Sequence, residues 1–437
     1  MCGIVGYVGY DEAAGKIIEG LKKLEYRGYD SSGIAILSDK GIELNKCKGE
    51  IKNLENMIAG RIPSGTCGIG HTRWATHGAP SDVNSHPHMD QSGRVALVHN
   101  GIVENYVELK EALINEHGIK FKSETDSEVI AQLVGVKYNA NGGDLEKAVY
   151  DATKEMRGTY AIGVIAEDTP DKIVAYRKEA PLIAGLGKKS NFIASDIPAL
   201  LKYTNDIFLI ENDEMVICTP DSITIKDKDG KEVKREAMKI TWSVEDAEKG
   251  GYEHFMLKEI NEQPKVVAET LNRRIDEDGK IKLDGINLTK EELDKYNKIY
   301  IVACGTAYHA GLVGKYVIEK MAGIAVEVDV ASEFRYRDPF IDEKTLFIAI
   351  SQSGETLDTL MSLRLAKEKG ARVLSVVNVV GSSIARESDD VFYTWAGPEI
   401  AVASTKAYTT QLVCMYLIAL YLGDIRGTLT DEYRKFI

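Results

Sequence analysis

The chain has 437 residues, room for about three domains at roughly 150 residues each, or for two large ones. Hydrophobic residues make up 44% and charged residues 28%, which is ordinary globular usage and excludes wholesale disorder. A formal net charge of −13 excludes the basic face that sequence-independent nucleic-acid binding needs, and no basic amphipathic stretch argues for a membrane surface. The longest unbroken apolar run, Leu412 to Leu422, has eleven residues, against about 20 for a bilayer-spanning helix. The N-terminus, Met-Cys-Gly-Ile-Val, has no basic flank and no cleavable apolar segment. These features predict a soluble, cytoplasmic protein. The six cysteines, at 2, 47, 67, 218, 304 and 414, form no C-x-x-C pair, so neither structural zinc nor a disulfide framework is expected.

In chain order, residues 1 to about 225 read as short β-type runs broken by Gly and turn clusters. Gly3 to Val8, Gly33 to Leu37, Val95 to Val98 and Tyr160 to Ile165 are the clearest. Helical spacing appears over Ala13 to Leu24 and over Ser127 to Val136, the latter opened by Asp126. Mixed strands with clustered helices predict an α+β layered domain. Residues 226–240 carry ten charges in fifteen positions, and the polar character continues to about 285. This stretch reads as a linker region, with a helix around Glu253 to Arg273; a solvated hairpin followed by a surface helix fits equally. From 298 the rhythm changes to alternating strands and helices. Strands are predicted at Lys298–Ala303, Ile324–Val330, Leu346–Ile350, Arg372–Val377 and Val391–Trp395. A helical pattern to Met321 follows Cys304-Gly305-Thr306, and Ser351-Gln352-Ser353-Gly354-Glu355-Thr356 opens a helix to Lys369. The pattern predicts a parallel sheet covered by helices on both faces.

Cys2 follows the initiator Met directly. A residue this small allows methionine excision, which would leave thiol and free α-amine on one residue. The α-amine titrates near ~7.7–8, so part of it is neutral at pH 7 and can accept the thiol proton. An ordinary buried cysteine in the first strand is the competing reading, and it is the stronger one for Cys2 taken alone. Three neighbouring segments shift the balance. His71-Thr72-Arg73-Trp74-Ala75-Thr76-His77-Gly78 sets a guanidinium fork, suited to a carboxylate, in a Gly-bounded loop. His99-Asn100-Gly101 offers an amide and a Gly N–H, the makings of an oxyanion hole. Glu124-Thr125-Asp126-Ser127 supplies a carboxylate that could receive an ammonium, although Thr125 or Asp126 could instead only cap the following helix. Five of the eight histidines, at 71, 77, 86, 88 and 99, crowd into 29 residues. No acidic partner stands at regular ligand spacing among them, so no metal and no cofactor are expected.

Together these segments resemble the class II glutamine amidotransferase family, whose members are N-terminal-nucleophile glutaminases. The resemblance is carried by Cys2-Gly3-Ile4, Tyr26-Arg27-Gly28-Tyr29-Asp30-Ser31, the His71–Gly78 motif, His99-Asn100-Gly101 and Glu124-Thr125-Asp126. It implies an αββα sandwich over residues 2–225 in which Cys2 attacks the carboxamide of L-glutamine. It further implies that Asn100 and Gly101 stabilise the oxyanion, Arg73 binds the α-carboxylate and Asp126 the α-ammonium, with Trp74, Thr76 and His77 in the pocket loop.

In the second half, the Ser351–Thr356 segment offers hydroxyls and helix-start N–H groups to a phosphate. It lacks the G-K-[ST] of a P-loop, which argues against a nucleoside triphosphate. Its competing reading is a plain helix cap. Cys304-Gly305-Thr306 and Val402-Ala403-Ser404-Thr405-Lys406 are further Ser/Thr turns at strand ends. This half, 286–430, resembles the sugar-isomerase (SIS) phosphosugar-binding family. The order of the halves, with Ala331 to Arg337, is similar to the glutamine–fructose-6-phosphate aminotransferase (isomerizing) family. That resemblance implies sugar-phosphate contacts from Cys304, Gly305, Thr306, Ser351, Gln352, Ser353, Thr356, Val402 and Ser404. It also implies channelling of ammonia to fructose 6-phosphate to give glucosamine 6-phosphate, in hexosamine biosynthesis, and a homodimer formed through the SIS half. Position 307 is Ala where the family pattern often has Ser. The family also carries a second SIS domain and a tail with isomerase Glu, His and Lys. No counterpart occurs within these 437 residues, so a fragment or truncated product is expected. The alternative for such a chain is a phosphosugar-binding protein with glutaminase activity only.

Overall fold

The computed structural model describes residues 2–75, 77–240, 249–272, 274–275, 281–283, 285–286 and 288–430. The chain divides near residue 244 into two compact units.

The first unit contains strands β1 (Gly3–Gly9), β2 (Ser31–Ser38), β3 (Gly41–Lys48), β4 (Cys67–Arg73), β5 (His88–Met89), β6 (Val95–Val103), β7 (Gly158–Ala166), β8 (Ile173–Lys178), β9 (Ile183–Leu186), β10 (Ser190–Ala194), β11 (Asp206–Leu209), β12 (Glu214–Cys218), β13 (Ile223–Lys226) and β14 (Met238–Lys239). Its helices are α1 (Ala13–Leu24), α2 (Ile51–Ile58), α3 (Tyr106–His117), α4 (Asp126–Ala140) and α5 (Leu145–Glu155). Two sheets form, ordered β14-β11-β9-β10-β1-β4-β2-β3 and β13-β12-β8-β7-β6-β5. Their inner faces meet in a shared core, with Ile4, Val8, Ala35 and Ile69 from one and Val98, Ala161, Ile165 and Val216 from the other. Helix α1 turns Ile17, Leu21 and Leu24 onto the first sheet. Helices α3 to α5 close the second sheet through Leu109, Val129, Leu133, Ala148 and Val149. The result is the αββα sandwich that the resemblance implied. Because helices cover both outer faces, β1 is buried along its whole length. That is why it reads as a continuous apolar and Gly run rather than an alternating one.

The second unit contains α6 (Phe255–Asn272), α7 (Lys290–Leu293), β15 (Lys298–Ala303), α8 (Gly305–Ala322), β16 (Ala325–Val330), α9 (Ala331–Phe334), β17 (Thr345–Ser351), α10 (Leu357–Glu368), β18 (Arg372–Val377), α11 (Ser383–Glu387), β19 (Asp390–Tyr393) and α12 (Lys406–Arg426). All five strands run parallel in the order β16-β15-β17-β18-β19. One face of the sheet packs Ile299, Ile301, Ile348 and Ile350 against Cys414 and Ile418 of α12. The other packs Val302, Phe347 and Val373 against Phe334, Leu360 and Leu363. This is the expected parallel sheet with helices on both faces. Helix α12 is long and apolar enough by length and composition to cross a membrane, yet half of that stretch is buried within the unit, where it packs on α8 and α6.

Two local expectations shift. The Ser351–Thr356 segment was expected to open a helix, but α10 begins at Leu357 with Thr356 as its N-cap residue, so Gln352 to Glu355 form a loop. The stretch 226–285, which reads as a linker region or equally as a solvated hairpin followed by a surface helix, divides between the units. Lys226 pairs with Glu232 through the backbone in an isolated β-bridge, β14 pairs with β11, and Arg235 reaches Glu214 at 2.8 Å, all in the first unit. Helix α6 belongs to the second unit: the Thr270 hydroxyl donates to the Thr394 carbonyl at 2.8 Å, and Glu259 accepts the Ile400 N–H at 2.6 Å.

Candidate active site

In the first unit the site assembles where β1 begins. Strand β1 lies between β10 and β4, which places Cys2 beside the end of β4. There the Trp74 N–H donates to Cys2 Sγ at 3.2 Å, and the thiol lies 3.4 Å from the Trp74 carbonyl. Burial pushes the Cys2 thiol pKa up; the Trp74 N–H and the charges of Arg73 and Arg27 act against that.

The Cys2 carbonyl accepts from Arg27 Nε at 3.0 Å and from Asn100 Nδ2 at 3.2 Å. Arg27 is buried and held by Asp196 at 3.1 Å, and Asp196 also accepts the Tyr26 hydroxyl at 2.7 Å. Ser195 Oγ accepts the Ile4 N–H at 2.8 Å and Asn100 Nδ2 at 2.9 Å. Ser195 and Asp196 were absent from the sequence reading. Nothing local marks them, because their role depends on β10 pairing with β1.

The loop around Arg73 rests on the motif at 26–31. A Cβ on Gly28 would stand 2.6 Å from the Arg73 carbonyl carbon and 2.7 Å from the Trp74 nitrogen, so only glycine lets the two backbones meet. Asp30 then accepts the Ala75 N–H at 2.9 Å. Arg73 Nη2 donates to the carbonyls of His77 and Gly78, while its buried Nη1 has no partner among the described residues. Burial lowers the Arg73 pKa, and Cys2, Asp126 and Asp30 oppose this through their charges. Arg73, Cys2 and Asp126 therefore share one electrostatic neighbourhood. Asp126 is buried and accepts the Val103 N–H at 3.0 Å. Thr125, not Asp126, caps α4, accepting the Glu128 N–H at 3.2 Å. The Trp74 ring is partly exposed and meets Tyr29 edge-on at 5.6 Å; His77 meets Tyr106 at 5.8 Å. Thr76 lies outside the described residues. Gly101 has φ +123°, and a Cβ there would stand 2.0 Å from the Thr159 carbonyl oxygen, which requires glycine next to Asn100.

The second unit offers a separate candidate site. In its strand order the chain reverses direction between β15 and β17, and ligands of open α/β sheets bind outside the carboxyl ends of the strands at such a point. Cys304 stands at the N-cap position of α8 after β15, with Gly305 and Thr306 next, and Ser351 ends β17. The buried Ser351 hydroxyl lies 3.0 Å from that of Thr356 and accepts the Gly354 N–H at 3.0 Å. Ser353 accepts the Glu355 N–H at 3.2 Å, and the Gln352 carbonyl accepts the Asn378 N–H at 3.1 Å. Glu355 ties the loop to Ser383, accepting its N–H at 2.7 Å and its hydroxyl at 2.8 Å. Val402 is exposed, and Ser404 donates to Glu399 at 2.8 Å; both lie in the segment between β19 and α12.

Residues 71–202 match the glutamine amidotransferase domain family, and residues 292–421 match the SIS domain family. A glutamine–fructose-6-phosphate aminotransferase (isomerizing) from Clostridium tetani is 61% identical over 99% of this chain and 70% of its own length. The chain belongs to the glutamine–fructose-6-phosphate aminotransferase (isomerizing) family. A Thermus thermophilus relative of the same name is 51% identical, again over 99% of this chain and 70% of its own. Among solved structures, the C-terminal domain of glucosamine-fructose-6-phosphate aminotransferase from Francisella tularensis is 47% identical, covering 43% of this chain and 52% of that one with a TM-score of 0.41. As a member of this aminotransferase family the chain is an enzyme, and its two units carry the family's amidotransferase and SIS domains.

The packing at Gly28 gives a direct test. Gly28→Ala is expected to push the Trp74 N–H away from Cys2 Sγ and to slow iodoacetamide alkylation of Cys2 at pH 7.5 several-fold. A lost hydrogen bond to a thiolate is worth about 1.5–3 kcal/mol at most. Mass spectrometry of the Cys2 peptide reads the rate, and an unchanged rate would remove this N–H from control of the thiol.

Proposed function

We propose that the first unit hydrolyses L-glutamine at Cys2 and that the second binds fructose 6-phosphate. The released ammonia is used to form glucosamine 6-phosphate, the amino sugar of hexosamine biosynthesis. The observation that carries this reading is the Cys2 thiol on the Trp74 N–H, beside an Arg73 whose buried Nη1 is uncommitted.

With Met1 removed, the neutral α-amine of Cys2 takes the thiol proton. The thiolate attacks the γ-carboxamide carbon, and the C=O electron pair becomes an oxyanion. Asn100 Nδ2 and the Gly101 N–H receive that charge; the longer Asn100 bond, 3.2 Å to the Cys2 carbonyl, is the one an oxyanion would replace. Collapse expels ammonia, which carries away the α-amine's proton. Water then cleaves the thioester to glutamate. Arg73 grips the α-carboxylate and Asp126 the α-ammonium, while Trp74 and His77 line the pocket. No step needs a cofactor. In the second unit Ser351, Gln352, Ser353 and Thr356 hold the phosphate. Cys304, Gly305, Thr306, Val402 and Ser404 contact the sugar. We infer also that the protein is cytoplasmic and dimerises through the SIS half, without nucleic-acid or membrane partners.

Arg73→Ala is expected to lower kcat/KM for glutamine by at least about tenfold, since a charge-assisted bond contributes roughly 1.5–3 kcal/mol. Glutamate release measures it, and unchanged kinetics would remove Arg73 from the site. Calorimetry tests the second unit. Ser351→Ala combined with Thr356→Ala is expected to weaken fructose 6-phosphate binding about tenfold or more, by loss of two hydroxyl donors of about 1 kcal/mol each. Unaltered affinity would place the phosphate elsewhere.

A further inference from the structure

Four histidines, His71, His86, His88 and His99, are buried together behind the Cys2 site, and none of them has a part in the chemistry described above. We propose that His71 is a positioning residue for the glutamine reaction: its Nε2–H, shared between Asn100 Oδ1 and the His99 carbonyl, fixes which end of the Asn100 amide faces Cys2.

His71 Nε2 lies 3.0 Å from the His99 carbonyl oxygen and 2.9 Å from the Asn100 side-chain oxygen. A backbone carbonyl can only accept, so Nε2 must carry the proton. The Asn100 atom beside it must then be the acceptor, Oδ1. The opposite end of the amide faces the Cys2 carbonyl at 3.2 Å, which again can only accept, so that atom must be the donor, Nδ2. Two fixed carbonyls, one on each side, thus select a single orientation, and it turns the N–H end of the amide toward Cys2. The imidazole itself cannot swing. His71 is fully buried in β4, and its ring stacks on His86 at 4.1 Å with the planes 22° apart. His86 is held in turn, its Nδ1 accepting the His99 N–H at 3.4 Å. Burial lowers the His71 pKa to about 3, so the ring is neutral at pH 7. Its Nδ1 has no partner among the described residues, which suits a ring whose one proton is on Nε2.

The inference rests on the proposed role of Asn100 as oxyanion donor, and the experiment separates the two. Glutaminase kinetics would be measured on the full chain carrying Asn100→Ala, His71→Asn, His71→Gln, and His71→Asn with Asn100→Ala. Glutamine places an N–H close to where imidazole Nε2 stands; asparagine does not reach. His71→Asn is expected to lower kcat about tenfold or more, with KM for glutamine within about twofold. His71→Gln should keep at least about a third of kcat, and His71→Asn should cost less than about threefold once Asn100 is Ala. If Asn100→Ala leaves kcat intact, the oxyanion reading falls and this inference with it. If Asn100→Ala lowers kcat but His71→Asn does not, the inference alone falls. It falls likewise if His71→Asn raises KM instead, if Gln rescues nothing, or if the two losses multiply. Should the His71 variants not fold, neutron diffraction of the unaltered chain decides. A deuteron on His71 Nε2, with the deuterated amide nitrogen of Asn100 toward Cys2, supports the assignment; a deuteron on Nδ1 only, or the reversed amide, overturns it.

Discussion

Two donors from distant parts of the chain end on one backbone oxygen, that of Cys2: Arg27 Nε at 3.0 Å and Asn100 Nδ2 at 3.2 Å. Chain termini fray unless they are tied down, and a nucleophile on a frayed terminus would have no fixed line of attack. Here β1 is zipped between β4 and β10, and the two side-chain donors hold the residue just ahead of it. Each donor has its own support. Arg27 is braced by Asp196 and Asn100 by Ser195, two consecutive residues that follow β10. The sandwich thus brings β1, β4 and β10 of one sheet and β6 of the other to a single point, and that point carries the proposed chemistry.

The second unit reaches preorganisation by a different route. Its candidate phosphate loop has few charges to hold it, and it is shaped by hydroxyl and carboxylate contacts instead. Ser351 braces Thr356 and Gly354, while Glu355 grips Ser383 at the start of α11. A loop already ordered by its own hydrogen bonds loses little freedom when an anion arrives. Its place at the crossover between β15 and β17 follows from chain order alone, since the strand that returns on the other side of β15 leaves its C-terminal edge open.

Much of this was legible in the sequence. The spans Ala13–Leu24, Lys298–Ala303 and Arg372–Val377 fall where periodicity put them, because each has strong patterning and a clear Gly or polar stop. Where reading failed, a long-range contact decided the outcome. The charged run at 226–240 fits a linker and a solvated hairpin equally, and only its pairing decides: Lys226 meets Glu232 in a β-bridge, and Lys239 pairs with Asp206 of β11. Thr356 has extended backbone angles, so the helix expected from Ser351 starts only at Leu357. Ser195 and Asp196 gave no signal at all. The histidines were visible as a crowd, but their function depends on β4 and β6 lying in facing sheets. Sequence spacing cannot show that a ring from one reaches an amide on the other.

The central proposal is that Cys2 is the group acylated by glutamine. The most direct measurement is acid-quenched mass spectrometry of the full chain during turnover. The account predicts a γ-glutamyl thioester on the Cys2 peptide, in molecules that have lost Met1, and its disappearance in Cys2→Ala. A γ-glutamyl group on another residue, no adduct under any quench time, or turnover by chains that retain Met1 would contradict it.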